Sequence, residues 1–185
     1  MQLNEKVVAL SDELVRLDPG DLAELRRFQP GEAGPLAYWR LAAKCGFLDD
    51  SPERWGPLVR VLAILTPKGE KQARGRLHDP KRPLGAILCD GGDASWPRDR
   101  EARPMLSETR LARLFATSPA QRADAVTRIA RMLAARREPR TGLNTVELAA
   151  LLLSNEGEAE MRRIAREFYR RLDTTPKSTT EAPAE

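Results

Sequence analysis

The chain has 185 residues, of which 31% are charged and 5% aromatic, with 31 Lys+Arg against 27 Asp+Glu. That length allows one substantial core or two small ones, and the aromatic-poor, aliphatic-rich pattern at helical spacing suits a mostly helical protein and gives little support to a sheet. No apolar run approaches the roughly 18 residues that span a bilayer, which argues against a membrane protein, and two cysteines without a pairing pattern or signal peptide point to a reduced, cytoplasmic setting.

The net charge of +4 is unevenly spread. Residues 1–66 hold 8 basic and 10 acidic side chains, residues 67–105 hold 9 and 6, and residues 106–185 hold 14 and 11. Arginine greatly outnumbers lysine, which suits phosphate recognition by forked guanidinium groups and equally suits a GC-rich genome.

In chain order, Leu3 to Leu17 reads as a helix with an apolar stripe of Val7, Val8, Leu10, Leu14 and Leu17. Asp18-Pro19 ends it and opens a second, with Asp18 expected to accept from exposed backbone N–H groups and Pro19 at the first helical position. This helix buries Leu22, Leu25 and Phe28. Its periodicity turns Arg27 away from the buried side and leaves Arg26 at the margin, where methylenes can cover apolar surface. A third helix spans Pro35 to Cys45 with Gly46 as its C-cap. A fourth starts at Ser51-Pro52 and runs through Trp55, Leu58, Val59, Leu62 and Leu65 to Thr66.

The stretch "PKGEKQARGRLHDPKRP" (67–83) sets six basic residues (Lys68, Lys71, Arg74, Arg76, Lys81, Arg82) against Glu70 and Asp79, and reads as a mobile basic loop. "LGAILCDGG" (84–92) is a short apolar helix ending at Gly91, and 93–104 reads as a linker and domain boundary. Ser107 caps the next helix, Ser118-Pro119 starts a long one ending at Arg136-Arg137, Asn144 caps "TVELAALLLSN", and a closing helix runs from about Gly157 to Leu172. The tail 174–185 is polar and expected to be disordered. The fold class is therefore all-α: two small helical bundles packed together, residues 1–92 and 105–173, joined by the basic loop and the linker.

Catalysis has no visible seat. The single histidine, His78, lies in the basic loop; Cys45 and Cys89 are unlinked; Asp49-Asp50 reads as a capping turn; Gly91-Gly92 lacks the pattern of a phosphate loop. No metal and no cofactor are implied, and the chain reads as non-enzymatic. The closing helix says more. Placing Met161 at zero and advancing by about 100° per residue gathers Ile164, Ala165, Phe168 and Leu172 on one side and Arg163, Arg166 and Arg170 on the other, with Arg162 beside them. The long helix repeats this with Arg128 and Arg131 opposite Val126, Ile129 and Leu133. Such columns can follow a phosphate backbone, giving affinity without sequence information; they are also what an ordinary solvated helix face looks like.

The order of "LRR", "AYWRLA", "LVRVLAILT", a basic loop leading into "LGAIL", then "LSETRLARLF", "RIARMLA" and "MRRIAREFY" resembles the CasB-type small subunit of the type I-E CRISPR Cascade complex, over roughly residues 8 to 172. The resemblance implies an all-helical, non-catalytic antiviral-defence subunit, present as two copies, that helps hold the displaced non-target DNA strand and stabilises the R-loop, while guide RNA pairing reads sequence. Its implied partners are the large subunit, the backbone subunits, a second copy of itself and the non-target strand, with the guide RNA as a further candidate contact. Arg26 and Arg27 fall where relatives carry an arginine pair, and Arg162, Arg163 and Arg166 fall in the basic closing motif. Two other readings stay open: a transcription regulator using residues 143–169 as a helix-turn-helix, and an adaptor whose basic face meets an acidic protein.

Overall fold

The computed structural model describes residues 2–29, 31–97, 103–138 and 140–173. The expected disordered tail (174–185) and the middle of the expected linker (98–102) lie outside the described residues. The fold is all-α. Among the described residues there are nine helices: α1 (Leu3–Arg16), α2 (Pro19–Arg27), α3 (Leu36–Cys45), α4 (Pro52–Leu65), α5 (Leu84–Asp90), α6 (Glu108–Phe115), α7 (Pro119–Arg136), α8 (Thr145–Leu153) and α9 (Glu158–Leu172). No helix among them is long and apolar enough to cross a membrane.

α4 is the central rod. Trp55, Leu58, Val59, Val61, Leu62, Ala63 and Leu65 leave it with hardly any exposed side, the mark of a helix enclosed by others. It packs on α1, α2, α7 and α8. The amphipathic α1 lays Val7, Leu10 and Leu14 against α3, α4 and α8. α5 packs chiefly against α9, which buries Ile164 and Phe168 and exposes Arg162, Arg163, Arg166 and Arg170.

These pairings cross the expected boundary at 93–104. α4 meets α7, α1 meets α8 and α5 meets α9, and buried residues from both sides of the boundary form one cluster. The two ends of the expected linker are anchored: Trp96 donates its Nε1–H to the Arg171 carbonyl (3.3 Å), while Met105 and Leu106 donate backbone N–H groups to Cys89 and Leu88.

Local signals are met where the partner is local. Pro19, Pro52 and Pro119 stand in first turns, Gly46 closes α3 in the left-handed region (φ 77°), and the Asn144 side chain accepts from the N–H groups of Val146 and Glu147. Asp18 departs from expectation: it makes no cap hydrogen bond and instead pairs with Lys71 (3.0 Å).

The 67–83 segment is also not the free loop its polarity indicated. Leu77 is 1% exposed, and its carbonyl accepts from Leu143 while Asp79 donates to the Leu143 carbonyl. Asn144 donates to the Arg82 carbonyl, and a 3₁₀ turn occupies Lys71–Ala73. One buried leucine with a paired backbone on either side tethers the segment to the α7–α8 connection.

Candidate nucleic-acid interface

The guanidinium groups divide by what lies within reach of their donors. Arg26 is half-buried, its Nε donating to the Ala63 carbonyl and its Nη2 to the Thr66 carbonyl, both at 2.9 Å. It thus serves the last turn of α4, where carbonyls have no intrahelical partner and the helix dipole is negative. Burial, and secondarily the positive charge of Arg74, lower its pKa from the ordinary arginine value. Arg74 serves the end of α1 in the same way, reaching the carbonyls of Val15 (3.2 Å), Leu17 (2.6 Å) and Gly69 (2.7 Å). Arg82 reaches the Gly92 carbonyl (3.3 Å).

A second set is engaged by acids, of which Asp18 and Glu158 are exposed and Glu167 is partly buried. Lys71 pairs with Asp18, Arg162 with Glu158 (3.0 Å) and Arg170 with Glu167 (2.6 Å). Solvated pairs of this kind are worth little and can exchange an acid for a phosphate. The third set, Arg27, Lys68, Arg76, Lys81, Arg128, Arg131, Arg163 and Arg166, is exposed, with no side-chain hydrogen-bond or ion-pair partner among the described residues.

The third set does not share one supporting element. α2, which carries Arg27, packs on α3 and α4, whereas α9, which carries Arg163 and Arg166, packs on α5 and α8. Within α9 the register is fixed from below: Ile164 and Phe168 are buried, and Arg171 ties the helix back to the nearly buried Asp90 at 2.6 Å. Arg163 and Arg166 therefore stand about one turn apart on a helix whose rotation is locked.

The structure adds arginines that periodicity does not single out. Arg54 donates to the Leu153 carbonyl (2.8 Å), Arg122 to carbonyls following α8, and Arg137 to the Leu65 carbonyl (2.9 Å). Burial pushes the pKa of Arg137 down to about 10. Arg140 is brought beside the basic loop, its Cα 3.5 Å from where a Cβ on Gly75 would sit. Arg110 and Arg113 of α6 line a cleft together with Arg128. Their spacing of three residues, flanking the buried Leu111 and Leu114, is the signal that could have flagged them.

The sole histidine has a structural setting. His78 Nδ1 lies 2.8 Å from the Thr145 hydroxyl, which lies 2.9 Å from that of the fully buried Ser11. Desolvation lowers the His78 pKa, with Asp12 and Asp79 opposing. This chain of hydroxyls joins the basic segment, the start of α8 and the middle of α1.

The adjacent pair Arg26 and Arg27 can be separated by experiment. Arg26→Met removes two charge-assisted hydrogen bonds and is expected to cost about 1–3 kcal/mol, whereas Arg27→Ala should stay within about 0.5 kcal/mol of the parent. Urea denaturation of both variants checks this; equal losses would contradict the division of roles.

No family model, curated protein or solved structure matches the chain.

Proposed function

We propose that the chain is a non-catalytic subunit that grips single-stranded DNA by its phosphates, as the resemblance to the CasB-type small subunit of the type I-E Cascade complex implies for a displaced non-target strand. The observation that carries this reading is the pair Arg163 and Arg166: exposed, a turn apart, without acidic partners among the described residues, on a helix anchored by Phe168 and the Arg171–Asp90 pair. Arg131 offers a further unpaired guanidinium on α7, and Arg27, Lys68, Arg76 and Lys81 add free cations in the first half of the chain. Phosphate contacts made by such groups are indifferent to base identity and weaken with salt through counterion release. Lys71, Arg162 and Arg170 can join by releasing their surface acids, whereas Arg26, Arg74 and Arg82 act on this reading as supports that hold the loop and helices in place.

The test is binding of the full chain to a labelled oligothymidylate across a salt series. Each lost phosphate contact should reduce the slope of log K against log[salt] by about 0.7 on a single strand. Arg163→Ala with Arg166→Ala is therefore expected to flatten the slope by about 1.4, equally on strands of different sequence. An unchanged slope, or no binding by the parent at low salt, would overturn the proposal. A footprint on one specific duplex would favour the helix-turn-helix reading instead.

A further inference from the structure

Between α6 and α7 lies an open cleft of about 400 Å³ that phosphate binding does not explain. Its walls carry Arg110 and Arg113 on α6 and Arg128 on α7; its floor is Leu106, Leu114, Ile129 and Met132. Leu106 and Leu114 belong to the core, but Ile129 and Met132 are only partly covered. Apolar surface and unpaired cations thus sit side by side.

Among the described residues no carboxylate lines the cleft, although both helices carry acids. Glu108 is drawn to the far side of α6, where it accepts from the Tyr169 hydroxyl of α9 at 2.9 Å. Asp124 lies along a separate cleft with Glu53, Arg54 and Arg122. All three cleft arginines are exposed and lack a hydrogen-bond or ion-pair partner among the described residues.

The chemistry of the floor discriminates between occupants. A nucleic-acid strand gains its sequence-tolerant affinity from bases stacked on aromatic rings, and among the described residues no aromatic side chain lines the cleft. A methionine among leucine and isoleucine is an adaptable seat for another helix, whose apolar side would cover it. The eight residues of α6 extend about 12 Å, enough to line two turns of such a helix. Arg110 and Arg113, one turn apart, would then meet carboxylates one turn apart.

We propose that the α6–α7 cleft docks an acidic amphipathic helix of a partner protein, its aliphatic side on Ile129 and Met132 and its carboxylates on Arg110, Arg113 and Arg128. This site is independent of the phosphate-gripping reading, because the arginines tested there lie on α9.

The experiment is fluorescence anisotropy of the full chain with a labelled synthetic helix bearing leucines at i, i+3, i+4 and i+7 flanked by glutamates. The same helix with lysines replacing the glutamates, and an oligothymidylate, serve as competitors. The glutamate helix should bind, Arg113→Glu and Arg128→Glu should each weaken it by about tenfold or more, and the competitors should not displace it. Both positions are exposed, and circular dichroism will verify that the variants remain folded. No binding, equal binding of the two helices, or indifference to both reversals would overturn the proposal. Displacement by the oligothymidylate would assign the cleft to nucleic acid, and self-association abolished by Arg113→Glu would assign it to a second copy; either result also overturns it. Loss of DNA binding in the Arg163/Arg166 variant leaves this outcome unaffected.

Discussion

Gly85→Ala is expected to destabilise the protein by about 3 kcal/mol, the upper part of the range for overpacking. The sign is what makes the experiment informative, because glycine in a helix interior is ordinarily worse than alanine by roughly 0.5–1 kcal/mol. Gly85 sits in α5 where that helix crosses α9, and a Cβ there would collide with the Ile164 carbonyl oxygen and stand 2.8 Å from the Phe168 backbone nitrogen. Those obstacles are main chain and cannot rotate aside. The helices would have to separate, withdrawing Ile164 and Phe168 from the core and loosening the helix that presents Arg163 and Arg166. A lower urea midpoint, together with weakened DNA binding, is the expected result. A variant as stable as the parent would mean that the crossing is not as close as described.

Arg122→Met is the second large loss expected, also about 3 kcal/mol, as a buried charge-assisted network disappears. Arg122 is 3% exposed and reaches the carbonyls of Leu151 (3.3 Å), Ser154 (2.8 Å) and Glu156 (2.8 Å), which the end of α8 and its turn into α9 leave unsatisfied. Methionine keeps much of the volume but offers no donor, so the buried Leu151 carbonyl and the part-buried Ser154 and Glu156 carbonyls would lose a partner. Arg122→Lys should recover only part of the loss, since a single ammonium cannot reproduce the planar fork. Gly157 lies directly against the guanidinium and holds φ 72°, so the turn and the arginine shape each other. Denaturation of the Met and Lys variants measures the effect, and a lysine variant equal to the parent would contradict the forked contact.

These two sites show what periodicity can and cannot reveal. Helix starts and stops at Pro19, Gly46, Pro119 and Asn144 were legible because their causes lie within a few residues. The direction of Arg27 and of the α9 arginines was legible for the same reason. The role of Arg26 was not: it depends on carbonyls of Ala63 and Thr66, 37 and 40 positions away, which only the packing of α2 on α4 brings near. The Asp18 cap and the mobile 67–83 loop were not met, on the same ground: Asp18 pairs with the distant Lys71, and the loop is held by the buried Leu77 and by backbone hydrogen bonds to Leu143. Helical phase tells where a side chain points, and tertiary structure decides what it meets. Arginine abundance therefore conceals three populations, guanidiniums that satisfy backbone carbonyls, guanidiniums paired with acids and guanidiniums with no side-chain partner among the described residues.

The pairing of α1 with α8 has a temporal consequence. The buried hydroxyl of Ser11 meets that of Thr145, 134 positions later, and α4 meets α7 over about half that separation. During vectorial synthesis, the first four helices leave the ribosome well before α7, α8 and α9 exist to cover them. Their apolar faces stay open over that interval, and contacts this distant in sequence close late because the intervening chain must first be ordered. The core is thus complete only once α7, α8 and α9 have been made.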